Sequence, residues 1–307
     1  MVSQLSAPHF HDEDAAFAYV EARVWSEGPV CPHCGGVERI SKMQGKSTRK
    51  GLYKCYQCRK PFTVRMGTIF ESSHVPLHIW LQAMFLVAGS KKGISSNQLH
   101  RILGVTLKTA WFMSHRIREA MRSGGLAPMG GDGGIVEIDE TYIGRKKGKE
   151  VARGTHHKMP VLALVNRETG ESRAFVVDKA DSANILPIVW ENVASETFIM
   201  TDESSIYRAK IAKDFLGHDV VNHKRGEYAY GNVHTNTVEG YFSIFKRGMR
   251  GVYQWCAEKH LHRYVAEFDF RYTNREANGC NDADRADRLL SGIVGKRLTY
   301  QTTCARA

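Results

Sequence analysis

The sequence predicts a mixed α/β domain preceded by a small cysteine-bearing β module and a helical module. Three observations carry this. Two Cys-x-x-Cys pairs, Cys31 with Cys34 and Cys55 with Cys58, lie near the N-terminus. Two short amphipathic helical patterns separated by Gly104 follow. Beyond a glycine-rich stretch, apolar strand-like runs alternate with helical patterns, as in a sheet covered by helices on its faces. A chain of 307 residues is long enough for more than one domain and for a sizeable core.

In chain order, residues 14–25 read as a helix with Ala15, Ala16, Ala18, Tyr19 and Val24 as apolar contacts, stopped by Gly28 and Pro29. Residues 31–65 set the cysteine pairs among short β-like runs. Helical periodicity resumes at 76–88, 95–103 and 107–122. The stretch 123–134 carries six glycines and a proline and reads as a linker. Strands are expected at 135–143, 161–166 and 173–177, the last two forming a hairpin through Glu168, Thr169 and Gly170. A helix at 182–193, a strand at 198–201, a helix at 204–216, a strand at 218–222 and a helix at 234–247 follow. Beyond Gly251, Tyr253, Trp255, Leu261, Tyr264, Val265, Phe268 and Phe270 recur at helical spacing. That run reads as a packing face, with a base-stacking platform as the other reading. No internal repeat is visible.

Composition narrows the function classes. Hydrophobic residues at 42% and charged residues at 24% exclude global disorder. No uninterrupted apolar run approaches the ~18 residues of a membrane span, and no secretory signal precedes the first helix, so a cytosolic protein without a membrane partner is expected. The net charge is +11, and it is regional. Residues 39–122 hold sixteen Lys and Arg against only Glu71 and Glu119. A second cluster, Arg145, Lys146, Lys147, Lys149, Arg153 and Lys158, follows the glycine-rich stretch. A solvated face would spread its charge; clustering favours a polyanion, and nucleic acid is the commonest one. The second cluster reads equally as a phosphate track or a solvated loop.

Cys31, Cys34, Cys55 and Cys58 suit tetrahedral thiolate coordination, two sulfurs from each knuckle, with Gly35 and Gly36 supplying the turn. The spacing is that of a zinc ribbon, and a β module this small needs a staple. One structural Zn²⁺ is expected; an iron site would use the same four thiolates. His33 is surplus to a filled tetrahedron, and Cys256, Cys280 and Cys304 read as ordinary thiols.

In the helical module, Gly104 can end the first helix in the left-handed conformation and Thr106 can cap the second. Leu99, Ile102 and Leu103 make one apolar face; Ala110, Met113, Ile117 and Ala120 make another. The far side of the second helix carries Lys108, Thr109, Phe112, His115, Arg116, Glu119 and Arg122. This matches the helix-turn-helix plan, in which the second helix enters the major groove; an ordinary helical hairpin is the bland alternative. Lys108, Thr109, His115, Arg116 and Arg122 are the expected DNA contacts.

Three carboxylates stand out by position. Asp139 lies inside an apolar strand, where an acid is costly without a partner. Asp202 falls at the carboxyl end of another, where α/β sheets place their sites. Glu239 lies on a helical stretch that puts Ser243 and Lys246 on its own face. Together, behind a metal module and a basic helical module, they suggest two-metal phosphoryl chemistry. Glu137 shares a strand face with Asp139 and is its local competitor; Glu140 should point to the opposite face.

The whole set resembles the DDE-type transposases of bacterial insertion sequences, specifically the insertion-sequence family numbered 1595. The matching stretches are Cys31 to Cys34, Tyr53-Lys54-Cys55 with Cys58, Gly67-Thr68-Ile69-Phe70, Ile138-Asp139-Glu140-Thr141-Tyr142, Thr201-Asp202, His234 to Gly240, Lys246-Arg247-Gly248, and Arg263-Tyr264. The resemblance implies a ribonuclease H-like catalytic domain at 135–275. Before it would come a helix and zinc ribbon at 1–70, a helix-turn-helix at 71–125 and a linker at 126–134, with a peripheral tail at 276–307. It implies Asp139, Asp202 and Glu239 as ligands of two Mg²⁺, or Mn²⁺ in their place, with Lys246 in contact with DNA and Arg247 beside it. Asn236, one turn before Glu239, remains a possible contributor, since the family varies at the third position. The implied partner is double-stranded DNA, both transposon ends and target, bound by a homo-oligomer in a synaptic complex near the bacterial nucleoid. Two rival readings share these features: a DNA-binding regulator without catalysis, and a nuclease without strand transfer.

Overall fold

The computed structural model describes residues 3–207, 211–221 and 233–299. The chain divides into two compact units, one made of residues up to 90, 94–121 and 282 onward, the other of 91–93 and 122–281.

The first unit opens with helix α1 (Glu13–Val24), started by the Asp12 carboxylate, which accepts from the Ala15 N–H at 2.7 Å. Strands β1 (Ile40–Lys42), β2 (Tyr53–Cys55) and β3 (Pro61–Phe62) form an antiparallel sheet in that order. Its small core is Cys31, Cys55 and Phe62, with Trp25 set edge-on against the rings of Tyr53 and Phe62. Helix α2 (Leu77–Gly89) is apolar nearly all round and buries Leu77, Trp80, Leu81, Ala83, Met84, Val87 and Ala88, as a central helix must. Helices α3 (Ser96–Leu103) and α4 (Leu107–Met121) meet at Gly104, which is left-handed at φ 64°. Ser95 caps the first through the Gln98 N–H at 3.2 Å, and Thr106 accepts from the Thr109 N–H at 3.1 Å.

Of the polar segment 276–307, expected as a peripheral tail, the described residues from 282 to 299 instead belong to this unit. Helix α8 (Asp282–Ser291) packs on α1 and α2, burying Leu289, Leu290 and nearby Ile293. Asp287 accepts from Arg23 Nε at 2.7 Å and Nη2 at 3.1 Å, and the Gly295 N–H donates to the Gly67 carbonyl at 2.7 Å. Mean polarity concealed a narrow apolar stripe.

The second unit opens on the glycine-rich stretch, whose latter half is stitched down. Met129 exchanges backbone hydrogen bonds with Asn192 and Ala194, and the Gly131 N–H donates to Thr197 Oγ1 at 2.9 Å. A Cβ at Gly130 would lie 2.3 Å from that Thr197 hydroxyl, so here glycine serves close approach.

The sheet comprises β4 (Ile135–Ile143), β5 (Met159–Asn166), β6 (Ser172–Val176), β7 (Phe198–Asp202) and β8 (Gly217–Val221), in the order β6-β5-β4-β7-β8. The first three pair antiparallel, while β7 runs parallel to both β4 and β8. This is the ribonuclease H-like arrangement. Helix α5 (Ser182–Asn192) packs on the face made by Ile138, Leu162, Leu164 and Ile199. Helices α6 (Asn236–Gly248) and α7 (Leu261–Thr273) pack on the other, over Val161, Ala163 and Val165.

The helix expected at 204–216 is not formed in its described parts: a turn occupies 205–207 and a short 3-10 turn Ile211–Lys213. Asp202 Oδ1 accepts from the Ser204 N–H at 3.0 Å, and this local bond competes with helix initiation. Residues 208–210 of that expected helix, and Cys304, lie outside the described residues. Among the described residues, no helix is long and apolar enough to cross a membrane.

Candidate active site and metal centre

Strand alternation sends Glu137 and Asp139 to the α6 side of the sheet and Glu140 to the α5 side. The parallel register pairs Ile138 with Thr201, so Asp139 and Asp202 are the next residues of adjacent strands about 4.8 Å apart. Asp202 ends β7 and Asp139 lies just beyond the stretch of β4 that pairs with it. Glu239 stands exposed in the first turn of α6, on the same side as Asp139, its Oε1 accepting from the Thr235 hydroxyl at 3.0 Å.

The electrostatics couple Asp139 to the other acids. Burial, followed by the charges of Glu140, Asp202 and Glu239, pushes the Asp139 carboxyl up to about 8, even though its Oδ1 accepts from the Glu140 N–H at 2.7 Å. A buried carboxyl set among other acids is what a hard divalent cation neutralises, and all the donors are oxygens. The donor set therefore fits Mg²⁺ or Mn²⁺.

Glu137 is settled differently from its neighbour. Fully buried, it accepts from Arg167 Nε at 2.9 Å, from the Thr237 N–H and hydroxyl at 2.7 and 2.8 Å, and from the Val238 N–H at 2.9 Å. His234 Nδ1 lies 3.2 Å from the same carboxylate. Its oxygens are committed to Arg167 and to the positive N-terminus of α6, so it anchors the helix that carries Glu239. Sequence alternation placed it on the right face; only Arg167, two residues beyond its strand partner Val165, hinted at the ion pair. Glu140 also has a structural partner, since the buried Tyr207 hydroxyl donates to it. Burial pushes Glu140 up to about 7, opposed by the Tyr207 hydrogen bond and reinforced by Asp202.

Of the remaining candidates on α6, Asn236 opens the helix and is exposed. Lys246 lies two turns beyond Glu239 with its ammonium 5.7 Å from the Phe242 ring. Exposed Arg247 donates to the Ser243 hydroxyl at 2.6 Å. The basic run after β4 is largely exposed at Arg145, Lys147, Lys149 and Arg153, while Lys146 turns in to the Asp178 carbonyl at 2.5 Å.

In the first unit the four cysteines converge. Cys31 and Cys58 sulfurs are 3.6 Å apart, Cys34 and Cys55 sulfurs 3.8 Å. All four lie within 4.8 Å of one another, the one such group among the described residues. The Cys58 backbone N–H, aided by that of Gln57 against burial, draws the Cys55 thiol down to about 7, while Cys34, despite the Gly36 N–H, is pushed up to about 12 by burial and its fellow thiols, as four sulfurs crowded together share their protons. A tetrathiolate set of this kind suits structural zinc. His33 stands aside, its ring 3.3 Å from the Pro61 carbonyl.

Helix α4 divides its expected DNA contacts. Lys108 and Arg122 are exposed and Thr109 half-buried. His115 and Arg116 are not surface residues, at 1% and 4% exposure. The Arg116 guanidinium donates to the carbonyls of Ile69 at 2.6 Å, Glu71 at 2.7 Å and Leu298 at 3.1 Å. The helical pattern could not reveal that α2, α3 and α8 all pack on α4. What stays open is its N-terminal end, where Leu107, Lys108 and Trp111 are exposed beside Ile102 of α3, a residue expected in the core.

The family model of the ISXO2-like transposase domain matches residues 132–273, and that of the transposase zinc-ribbon domain matches 11–61. A protein of Halobacterium salinarum, described as uncharacterized and belonging to transposable element ISH50, is 28% identical over 265 residues, covering 80% of this chain and 86% of the relative. Among solved structures, the BIV integrase catalytic core is 15% identical with a TM-score of 0.29, covering 43% of this chain and 80% of that one. The Mos1 strand transfer complex is 13% identical with a TM-score of 0.19, covering 65% and 77%.

Proposed function

The chain belongs to the insertion-sequence 1595 family of transposases, and we propose that it moves its element by divalent-cation-dependent cleavage of DNA followed by strand transfer. The observation that carries this is the side-by-side placement of Asp139 and Asp202 on parallel strands, faced by Glu239 from α6.

Asp139, Asp202 and Glu239 would hold the cations, two Mg²⁺ ions in this reading. When bound, such ions supply an activated oxygen nucleophile and stabilise the leaving oxygen. The chain's own groups do the positioning. Glu137 anchors α6 so that Glu239 faces the strand carboxylates, and Lys246 and Arg247 offer cations to the phosphates on either side of the reacting one. Water would serve first as nucleophile, releasing a 3′-hydroxyl that then attacks target DNA in the same site. The exposed N-terminal end of α4 suits reading of the terminal repeats, with Lys108 and Thr109 as contacts; Arg122, exposed just past the other end of the helix, would meet the DNA separately, and Arg116 and His115 leave that list. The zinc ribbon would hold its part of the first unit in shape for this task. Two ends must be processed together, so a homo-oligomeric synaptic complex is part of the proposal. So is a cytoplasmic setting at the nucleoid, where the DNA lies.

The test is cleavage and joining of labelled DNA bearing the element's ends, comparing wild type with Asp139→Ala, Asp202→Ala and Glu239→Ala. Joined products that vanish in all three while end binding survives are expected. Cleavage without joining would reduce the protein to a nuclease, and specific binding without cleavage by wild type would make it a regulator.

A further inference from the structure

Trp255 has no part in the site above, yet it is the most exposed large hydrophobic residue among those described, at 73%. Tryptophan is seldom left so open without a task. Its position is imposed by the backbone. The Trp255 N–H donates to the Tyr253 carbonyl at 2.6 Å, closing a three-residue turn around Gln254, which sits at φ 59°, ψ −45°. This is the rare positive-φ form of the γ-turn, strained for a residue with a side chain, and such strain concentrates at functional positions.

The indole borders a cavity of about 240 Å³, lined also by Met159, Met249, Lys158 and Arg250. Met159 and Met249 are buried and give the cavity an adaptable apolar wall; Arg250 is exposed and Lys158 half-buried. The wall also includes Ile143 and Gly144 at the end of β4, the strand of Asp139, and Met249 directly follows α6, the helix of Glu239. Ile143 lies four strand residues past Asp139, about 13 Å along β4, a few nucleotides of a strand away.

We propose that this cavity receives a single nucleobase turned out of the DNA strand being processed, stacked on Trp255, with Lys158 and Arg250 taking its flanking phosphates. The inference rests on the action on DNA proposed above. An aromatic platform with cations at its edge is how proteins hold unstacked bases. Charge decides against an apolar peptide as occupant: the basic run from Arg145 to Lys158 leaves the same end of β4, and a polyanion is what it attracts.

The experiment uses the full chain carrying Asp139→Ala, so that binding is read without chemistry. The probe is a short single-stranded oligonucleotide with one 2-aminopurine among thymines, with a fully duplex form of the same sequence alongside. Stacking on the indole should quench the probe. Trp255→Ala should abolish the quench and weaken single-strand binding about tenfold, while duplex binding stays within about twofold. Trp255→Phe should restore most of both.

Undiminished quench in Trp255→Ala, equal losses on single strand and duplex, or no binding of the oligonucleotide by the parent chain would each overturn the assignment. So would a change of oligomeric state with DNA binding intact, which would mark a protein interface. Cleavage and joining by the chain with Asp139 intact are scored separately. Base capture without cleavage would remove the transposase reading and leave the pocket; cleavage with no base capture would do the reverse.

Discussion

Replacing Glu137 separates an anchoring role from a ligating one. In Glu137→Ala the carboxylate that receives Arg167, the Thr237 N–H and hydroxyl, and the Val238 N–H is gone. Removing one partner of a buried ion pair costs about 3–5 kcal/mol, because the other charge stays buried and uncompensated. In Glu137→Gln the volume is kept and one oxygen still accepts, so the loss should be nearer the ~1–3 kcal/mol of an unsatisfied buried group. A chain with two compact units need not unfold in one step, so the readout should be local. Amide hydrogen exchange at Thr237, Val238 and Glu239 reports opening of the first turn of α6. At 1.4 kcal/mol per factor of ten, exchange there should accelerate about a hundred- to a few-thousand-fold in the alanine variant and roughly ten- to a hundred-fold in the glutamine variant.

Activity should follow the helix. Glu239 lies two residues past Thr237, so Glu137→Ala should raise the divalent cation concentration needed for half-maximal cleavage, and Glu137→Gln should fall between it and wild type. A cation ligand would behave otherwise: Glu137→Gln would be as inactive as Asp139→Asn, with α6 exchange unchanged. That outcome would refute the anchoring argument.

Further outcomes are expected. The raised carboxyl of Asp139, about 8 against an ordinary 3.8, contributes stability that is present below about pH 4 and lost as pH climbs through 8. The thermal midpoint of cation-free protein should fall over that window. Asp139→Asn should flatten part of the slope, and added Mg²⁺ should restore the midpoint at pH 8 in wild type only; a midpoint indifferent to pH and Mg²⁺ would contradict the clustered site. Arg116→Ala should lower stability by a few kcal/mol by stranding the Ile69 and Glu71 carbonyls. Lys108→Ala should leave stability alone but reduce the salt slope of DNA binding by about 1; the reverse pattern would exchange their roles. Metal analysis should find one zinc per chain, and its chelation, or Cys31→Ser, should abolish the near-ultraviolet signal of Trp25, which packs on Tyr53 and Phe62. Retention of that signal without metal would count against a stapled ribbon.

The parts of this molecule that sequence revealed are those fixed by short-range rules. A strand's period of two separates Asp139 from Glu140, and the structure bears this out: the one faces α6, the other meets Tyr207 on the α5 side. Left-handed Gly104 and the Thr106 cap needed only their immediate neighbours. The failures have long-range causes. Arg116 has the spacing of a groove-facing residue, but its charge is spent on carbonyls 45 to 182 residues away. The apolar stripe of the C-terminal segment is narrow and diluted by charge, so composition concealed a helix that packs on α1 and α2. Glu137 combines both situations. Alternation alone leaves it equivalent to Asp139, and what distinguishes them is where the N-terminus of a helix a hundred residues later arrives. A helix N-terminus presents N–H groups without partners and a partial positive charge. The carboxylate beneath it is therefore consumed as an anchor, whereas Asp139, two residues on, is left among other acids with, among the described residues, only a neighbouring backbone N–H in hydrogen bond. One acid face of β4 thus yields a fixed charge at one position and a titratable, cation-seeking one at the next, and the helix that creates the difference also delivers Glu239.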